Sequence, residues 1–323
     1  MKVAIRQLSF MDVVSDLSDG RSGQIAYISA SPFEMHHILC KLDSAPKHPV
    51  FGHLLLPDNS GSQPLPCVIA CHGSRGWADH HNDHITNWLE AGIAVFRVHS
   101  FDARQIVSTV ETQMMVTHAM MLCDAFEALK LLRTHDMIDS DRIAISGWSL
   151  GGTVALYSAW TPIAEALAPA GERFAAHLPF YPAAHMRPED QRWENVPVKV
   201  LHGEVDDYTP LAFVHGLAEI ANKHGANIAV KTYANAHHSF DSKEPMTWLA
   251  NAIKLDTRTV QIDLDGEMWG EIEPGTRIPL NEPLQRKAAF DLAKNVGAHI
   301  GGNVDARPLV LQDSTDFFLQ ELV

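Results

Sequence analysis

The run from Arg142 to Gly152, RIAISGWSLGG, constrains this chain more than any other part of it. Ile143, Ala144 and Ile145 form a short apolar stretch of the kind buried on both faces of a sheet, and it passes without a linker into Gly147-Trp148-Ser149-Leu150-Gly151. Val154, Ala155 and Leu156 then read as the start of a buried helix. A strand that turns at once into a helix strains the residue at the turn, and only small residues two before and two after it let the elements pass so closely. Gly147 and Gly151 meet that demand. The turn exposes Ser149 at a helix N-terminus, where the free N–H of Leu150 can face a developing negative charge. The five-residue pattern alone is weak, because a tight turn with an idle serine has the same spelling; its flanks make it specific.

Such a turn needs a sheet around it, and 323 residues that are 46% hydrophobic can bury one. From about residue 50, short apolar runs alternate with amphipathic stretches, which predicts an α/β fold with a mainly parallel central sheet flanked by helices. Strands are expected at 51–56, 67–71, 94–98, 142–146, 175–180, 196–201 and 229–233. Helices are expected at 79–91, stopped by Gly92, and along the stripe Met115, Ala119, Leu122, Phe126 and Leu129. Residues 1–49 read as an N-terminal extension with a strand at 24–29 and a helix at 32–42. Residues 243–323 read as a C-terminal extension with a strand at 259–264 and a helix at 315–322. No repeat or low-complexity linker divides them, so one domain over 1–323 with a core at about 50–242 is expected.

A serine nucleophile needs a base and an acid, and in architectures built on this turn both follow it, each on a loop after a later strand. The run 196–201 ends in His202-Gly203-Glu204-Val205-Asp206-Asp207-Tyr208, which offers Asp206 as the acid, with Asp207 and Glu204 as fallbacks. After 229–233 come His237 and His238, of which only one can point at Ser149. The loop His72-Gly73-Ser74-Arg75-Gly76 follows an earlier strand, and the Ser74 N–H is the second expected oxyanion donor beside Leu150. Arg75 and Arg104 lie on loops expected to border the site, where either could hold a substrate carboxylate or simply form a salt bridge. Trp148, Trp193 and Tyr208 are candidates for shaping a substrate pocket, with plain packing as the competing reading. His80 and His84 share a helix face but lack a recognisable ligand set, so no metal is expected there.

Taken together, the HGSRG loop, the HSFDAR segment at His99 to Arg104, the GWSLGG turn, the FYP at Phe180 to Pro182, the HGEVDDYTP loop and the HHSFD loop resemble the dienelactone hydrolase family of α/β-hydrolases. The resemblance covers roughly residues 50–242 and implies the α/β-hydrolase fold, with Ser149, Asp206 and His238 as catalytic residues. It selects His238 because that residue directly precedes the Ser239-Phe240 pair. The founding members use a cysteine where this chain has Ser149, so the implied substrate is an ester or lactone in general. No cofactor is required.

A net charge of −14 with no dense basic run argues against nucleic acid and anionic membranes as partners, leaving a small-molecule ester or lactone. No run of about 18 apolar residues occurs, and Met1 to Arg6 open the chain without a signal-peptide core. Cys40, Cys67, Cys71 and Cys123 show no CxxC pairing. A cytoplasmic protein with free thiols is therefore expected. A homodimer has no specific support. Two other classes compete with hydrolysis: an acyltransferase or amidase on the same three residues, and a non-catalytic binding protein of the same fold.

Overall fold

In the computed structural model, residues 13–58, 61, 63–255 and 258–323 are described; Met1 to Arg6, read above for a signal peptide, lie outside them. The strands are β1 (Gly23–Ala30), β2 (Lys47–Leu55), β3 (Leu65–Cys71), β4 (Ala94–Val98), β5 (Ile138–Trp148), β6 (His177–Phe180), β7 (Met186–Pro188), β8 (Val198–Gly203), β9 (Ile228–Tyr233), β10 (Thr247–Leu255), β11 (Val260–Ile262), β12 (Met268–Glu273), β13 (Thr276–Pro279) and β14 (Lys294–Ile300). The α-helices are α1 (Met35–Lys41), α2 (Asp79–Glu90), α3 (Ser100–Ala103), α4 (His118–Leu132), α5 (Leu150–Tyr157), α6 (Thr161–Leu167), α7 (Leu211–Lys223), α8 (Pro283–Ala293) and α9 (Ala306–Leu322).

Alternation along β3 explains the layering. Cys67, Ile69 and Cys71 point into one apolar cluster with α4 and α5, whereas Val68 and Ala70 point into another with Trp88 of α2 and Phe318 of α9. Every residue of β3 is buried, as expected for a central strand covered by helices on both faces. The main sheet runs β1-β2-β4-β3-β5-β6-β8-β9. From β4 to β9 all neighbours are parallel, and β1 and β2 add an antiparallel edge. The mainly parallel α/β sheet read from the sequence is thus present, with β1 and the start of β2 built into it from the segment before residue 50.

Several boundaries differ from the sequence reading. Met115 does not belong to the α4 stripe: it is exposed, because Thr117 caps the helix by accepting the Met120 N–H (3.4 Å) two residues later. The last helix starts at Ala306 rather than 315, since Asn303 Oδ1 accepts the N–H groups of Asp305 (3.1 Å) and Ala306 (3.0 Å) and Pro308 falls in the first turn, where it is tolerated. The stretch from 247 to 300 is richer than one strand. It holds the antiparallel pair β10-β14 and a small sheet β13-β12-β11-β7, whose β11 runs parallel to β7 of the body. Among the described residues no helix is long and apolar enough to cross a membrane, and the four cysteines are unpaired.

Arg286 of α8 clips this C-terminal part to the body by an ion pair with the buried Glu34, which His118 also approaches at 3.2 Å. Burial pushes the Glu34 carboxyl up, but Arg286 and His118 outweigh it and hold it at about 2, against an ordinary 4.5. A depressed carboxyl stabilises the fold above its unfolded value and loses that contribution as pH falls through the folded one. Glu34→Gln is therefore expected to cost on the order of 3 kcal/mol at pH 7. In urea titrations its deficit against the wild type should shrink as pH drops from 4.5 towards 2; a deficit independent of pH would dismiss the ion pair as its source.

Candidate active site

Ser149 sits between β5 and α5 with φ 55° and ψ −109°, a conformation that a non-glycine residue adopts only when its surroundings enforce it. Its N–H donates to Phe180 O (3.0 Å), and its carbonyl accepts the Thr153 N–H (2.8 Å). A Cβ on Gly147 would lie 2.3 Å from Gly151 O, and one on Gly151 would lie 2.2 Å from Cys71 O. Backbone meets backbone at this turn, so both glycines are steric necessities.

The loops after β8 and β9 bring Asp206 and His238 to the serine. Ser149 Oγ lies 2.9 Å from His238 Nε2, and His238 Nδ1 lies 2.8 Å from Asp206 Oδ2. With the carboxylate accepting from Nδ1–H, Nε2 is left to accept the serine proton. Asp206 Oδ1 accepts the N–H groups of Tyr208 (2.8 Å) and Thr209 (2.9 Å), and Thr209 Oγ1 donates to Oδ2 (3.0 Å). Burial raises the Asp206 carboxyl, but His238 and the Thr209 N–H more than offset it, leaving a carboxylate below its ordinary range. The rings of Tyr181 and Tyr208 hold the imidazole at centroid distances of 4.6 and 4.8 Å. The fallback acids lie elsewhere: Asp207 bonds His299, and Glu204 accepts the Asn235 N–H.

On the other side of the serine, Gly73 packs against the turn so closely that a Cβ there would stand 3.2 Å from Trp148 O. This brings Ser74 beside Ser149 in the lining of both cavities described below. Leu150, first in α5, has no preceding turn to accept its N–H. Arg75 stands at the mouth of the wider cavity, half-exposed and 3.5 Å from Glu244.

Two expectations require correction. Arg104 lines neither cavity. Its guanidinium forks onto Asp124 of α4 (2.7 and 3.0 Å) and also reaches Ser100 O, because the fully buried Asp124 needs a cation with matching geometry. Trp193 packs near Tyr157 and pairs with Trp160, away from the serine. Trp148 touches the wider cavity, but its indole is buried between Trp88 and Phe180, so its mass belongs to the core. Tyr208 does line both cavities, with its hydroxyl 3.2 Å from Gln113 Nε2.

A further buried carboxylate beside the site, Asp241, lies three residues past His238, and the sequence reading gave it no role. Trp148 Nε1 (3.0 Å), Tyr181 Oη (2.8 Å) and His84 Nε2 (3.2 Å) all point at it. It thereby joins the serine turn, the loop after β6, the histidine loop and α2. Burial raises its carboxyl, while His80 and His84 hold it well below the ordinary range. Of the other α2 histidines, His80 Nε2 stands 3.9 Å from Asp241 Oδ1, and His81 Nδ1 accepts the Ala78 N–H instead.

Two cavities meet at Ser149. One, of about 150 Å³, is walled by Leu150, Met186, Phe213, Val260, Met268, Ile278 and Leu280 and closes on Glu34, His118 and Arg286. The other, of about 500 Å³, is lined by residues 73–81, Tyr181, His238 and Glu244. The narrow one owes much of its apolar wall to the small sheet, which the sequence reading left as a tail.

The model of the dienelactone hydrolase family matches residues 51–260. No curated protein matches the sequence. Among solved structures, the chain is similar to esterase 2 of Thermogutta terrifontis in its apo form, with 17% identity over 59% of this chain and 80% of that one and a TM-score of 0.47. The same esterase phosphoramylated by tabun gives 16% identity, coverages of 67% and 85%, and a TM-score of 0.49. A Klebsiella pneumoniae subsp. pneumoniae MGH 78578 protein, provisionally described as a dienelactone hydrolase, gives 19% identity, coverages of 68% and 88%, and a TM-score of 0.48.

Asp241→Asn preserves volume but turns one accepting oxygen into an NH₂ group that faces other donors. It is expected to lower stability by about 2 kcal/mol, seen as a lower urea midpoint at an unchanged slope. An unchanged midpoint would show that the three donors find other partners.

Proposed function

This chain belongs to the dienelactone hydrolase family and has the α/β-hydrolase fold, and on that premise we propose that it cleaves a carboxylic ester or lactone through an acyl-enzyme on Ser149. The observation that carries this reading is the unbroken line from Ser149 Oγ through His238 to Asp206, at 2.9 and 2.8 Å. His238 Nε2 takes the serine proton as Oγ attacks the acyl carbon, and Asp206 stabilises the imidazolium that forms. The N–H groups of Leu150 and Ser74 receive the oxyanion, and His238 then protonates the leaving oxygen. Water entering by the wider cavity attacks the acyl-enzyme with His238 as base, releasing the acid and restoring Ser149.

The pair of cavities supports a compact, mainly apolar group bound beneath the small sheet, with the remainder of the substrate towards solvent. Arg75 at the open mouth suits a substrate with an anionic end on that side. The proposed partner is thus a small molecule, in keeping with the net charge of −14.

The wild type should hydrolyse short p-nitrophenyl esters and react with a fluorophosphonate at Ser149. Ser149→Ala should lose labelling and at least about 10³-fold in kcat. A folded wild type that neither turns over nor labels would sink this reading and favour a binding protein of the same fold.

A further inference from the structure

Asp207 and His237 are the chain neighbours of Asp206 and His238, yet they face away from the serine and meet a third residue, His299 of β14. His299 Nδ1 lies 2.9 Å from Asp207 Oδ2, and His237 Nδ1 lies 3.9 Å from Asp207 Oδ1. One donor atom from each residue falls within 4.8 Å of the other two. The His299 N–H also donates to Asp207 Oδ1 (2.9 Å), which fixes the carboxylate, and Trp248 packs edge-on against His299 at 4.7 Å. His237 Nδ1 is shielded from solvent and has no hydrogen-bond partner, although the rest of its side chain is partly exposed. A buried ring nitrogen left without a partner in a polar cluster calls for a ligand.

We propose that Asp207, His237 and His299 bind a divalent ion of the Zn²⁺ class, which pins the C-terminal β10-β14 pair to the two loops that carry Asp206 and His238. Two imidazole nitrogens and one carboxylate oxygen form a donor set suited to such ions. Bonds of about 2.0–2.1 Å in a tetrahedron place donor atoms about 3.3 Å apart; the two imidazoles stand 2.9 and 3.9 Å from different oxygens of the Asp207 carboxylate, and one donor atom from each residue lies within 4.8 Å of the others, so an ion would draw them together. All three residues are partly exposed, which leaves room for water as a fourth ligand. Lys254 Nζ is the nearby opposing charge. It is bonded to the backbone carbonyl of Asp207 at 2.6 Å, which leaves the carboxylate oxygens to the cluster. The ion would be structural: the side chains that meet Ser149 are those of the neighbouring residues.

The test uses full-length protein stripped with a chelator and titrated with Zn²⁺ by calorimetry. One equivalent should bind at micromolar strength or tighter and raise the melting temperature. His299→Ala and His237→Ala should each weaken that binding about tenfold or more, whereas His224→Ala, on a remote exposed histidine, should leave it unchanged. Circular dichroism checks that the variants fold, and Co²⁺ absorption of the wild type reports nitrogen and oxygen ligation independently of them. Absence of binding, or equal binding by wild type and both cluster variants, overturns the proposal. Binding is read without turnover, so its failure leaves the hydrolase reading standing.

Discussion

The contact of bare backbone at Gly147, Gly151 and Cys71 is the constraint around which the site is arranged. A side chain at either glycine would drive β5, α5 and the end of β3 apart by more than the site tolerates, since the ideal Cβ positions fall 2.2 to 2.3 Å from carbonyl groups. Because the three elements touch there, Ser149 is forced to a positive φ and the first N–H of α5 is left facing outwards. The same contact brings Ser74 alongside. Strain in one residue and an unsatisfied donor in the next are therefore two results of a single close approach.

Around that contact two of the buried carboxylates bear on the histidine loop. Asp206, 32 residues before His238 in the chain, bonds it directly, and Asp241, three residues after it, anchors its loop. Each is charged because hydrogen-bond donors and histidines outweigh the cost of burial. Removing water from both makes the loops that carry them depend on one another, so the imidazole is located by the core as much as by its own hydrogen bonds.

Much of this was legible in the residues. The apolar runs marked the parallel strands, the order of loops pointed to Ser149, the 204–207 acids and the His237-His238 pair, and the family resemblance selected Asp206 and His238, which the fold brings into one hydrogen-bonded line with Ser149. The less readable parts share a cause: their partners are distant in the chain. Arg104 looked like a site residue because its loop borders one, but its partner Asp124 lies on a helix whose pattern gives no sign of a buried charge. Asp241 reads as an ordinary polar residue after Phe240 until Trp148, Tyr181 and His84 arrive from three other elements. Of the small sheet, only the strand at 259–264, which contains β11, was expected; β13 is too short for alternation to show, and β11 finds its neighbour β7 more than seventy residues back.

That pairing of β7 with β11 divides the molecule along a line that is not the line of its chemistry. Ser149, Asp206 and His238, the groups proposed to react, stand on loops of the large sheet, while the walls of the narrow cavity come largely from strands and a helix added after it. Selection can therefore act on the two separately. On the proposed chemistry, changes in the added strands would alter what is admitted without disturbing how it is attacked, so kindred chains could share one reaction while differing widely in diet.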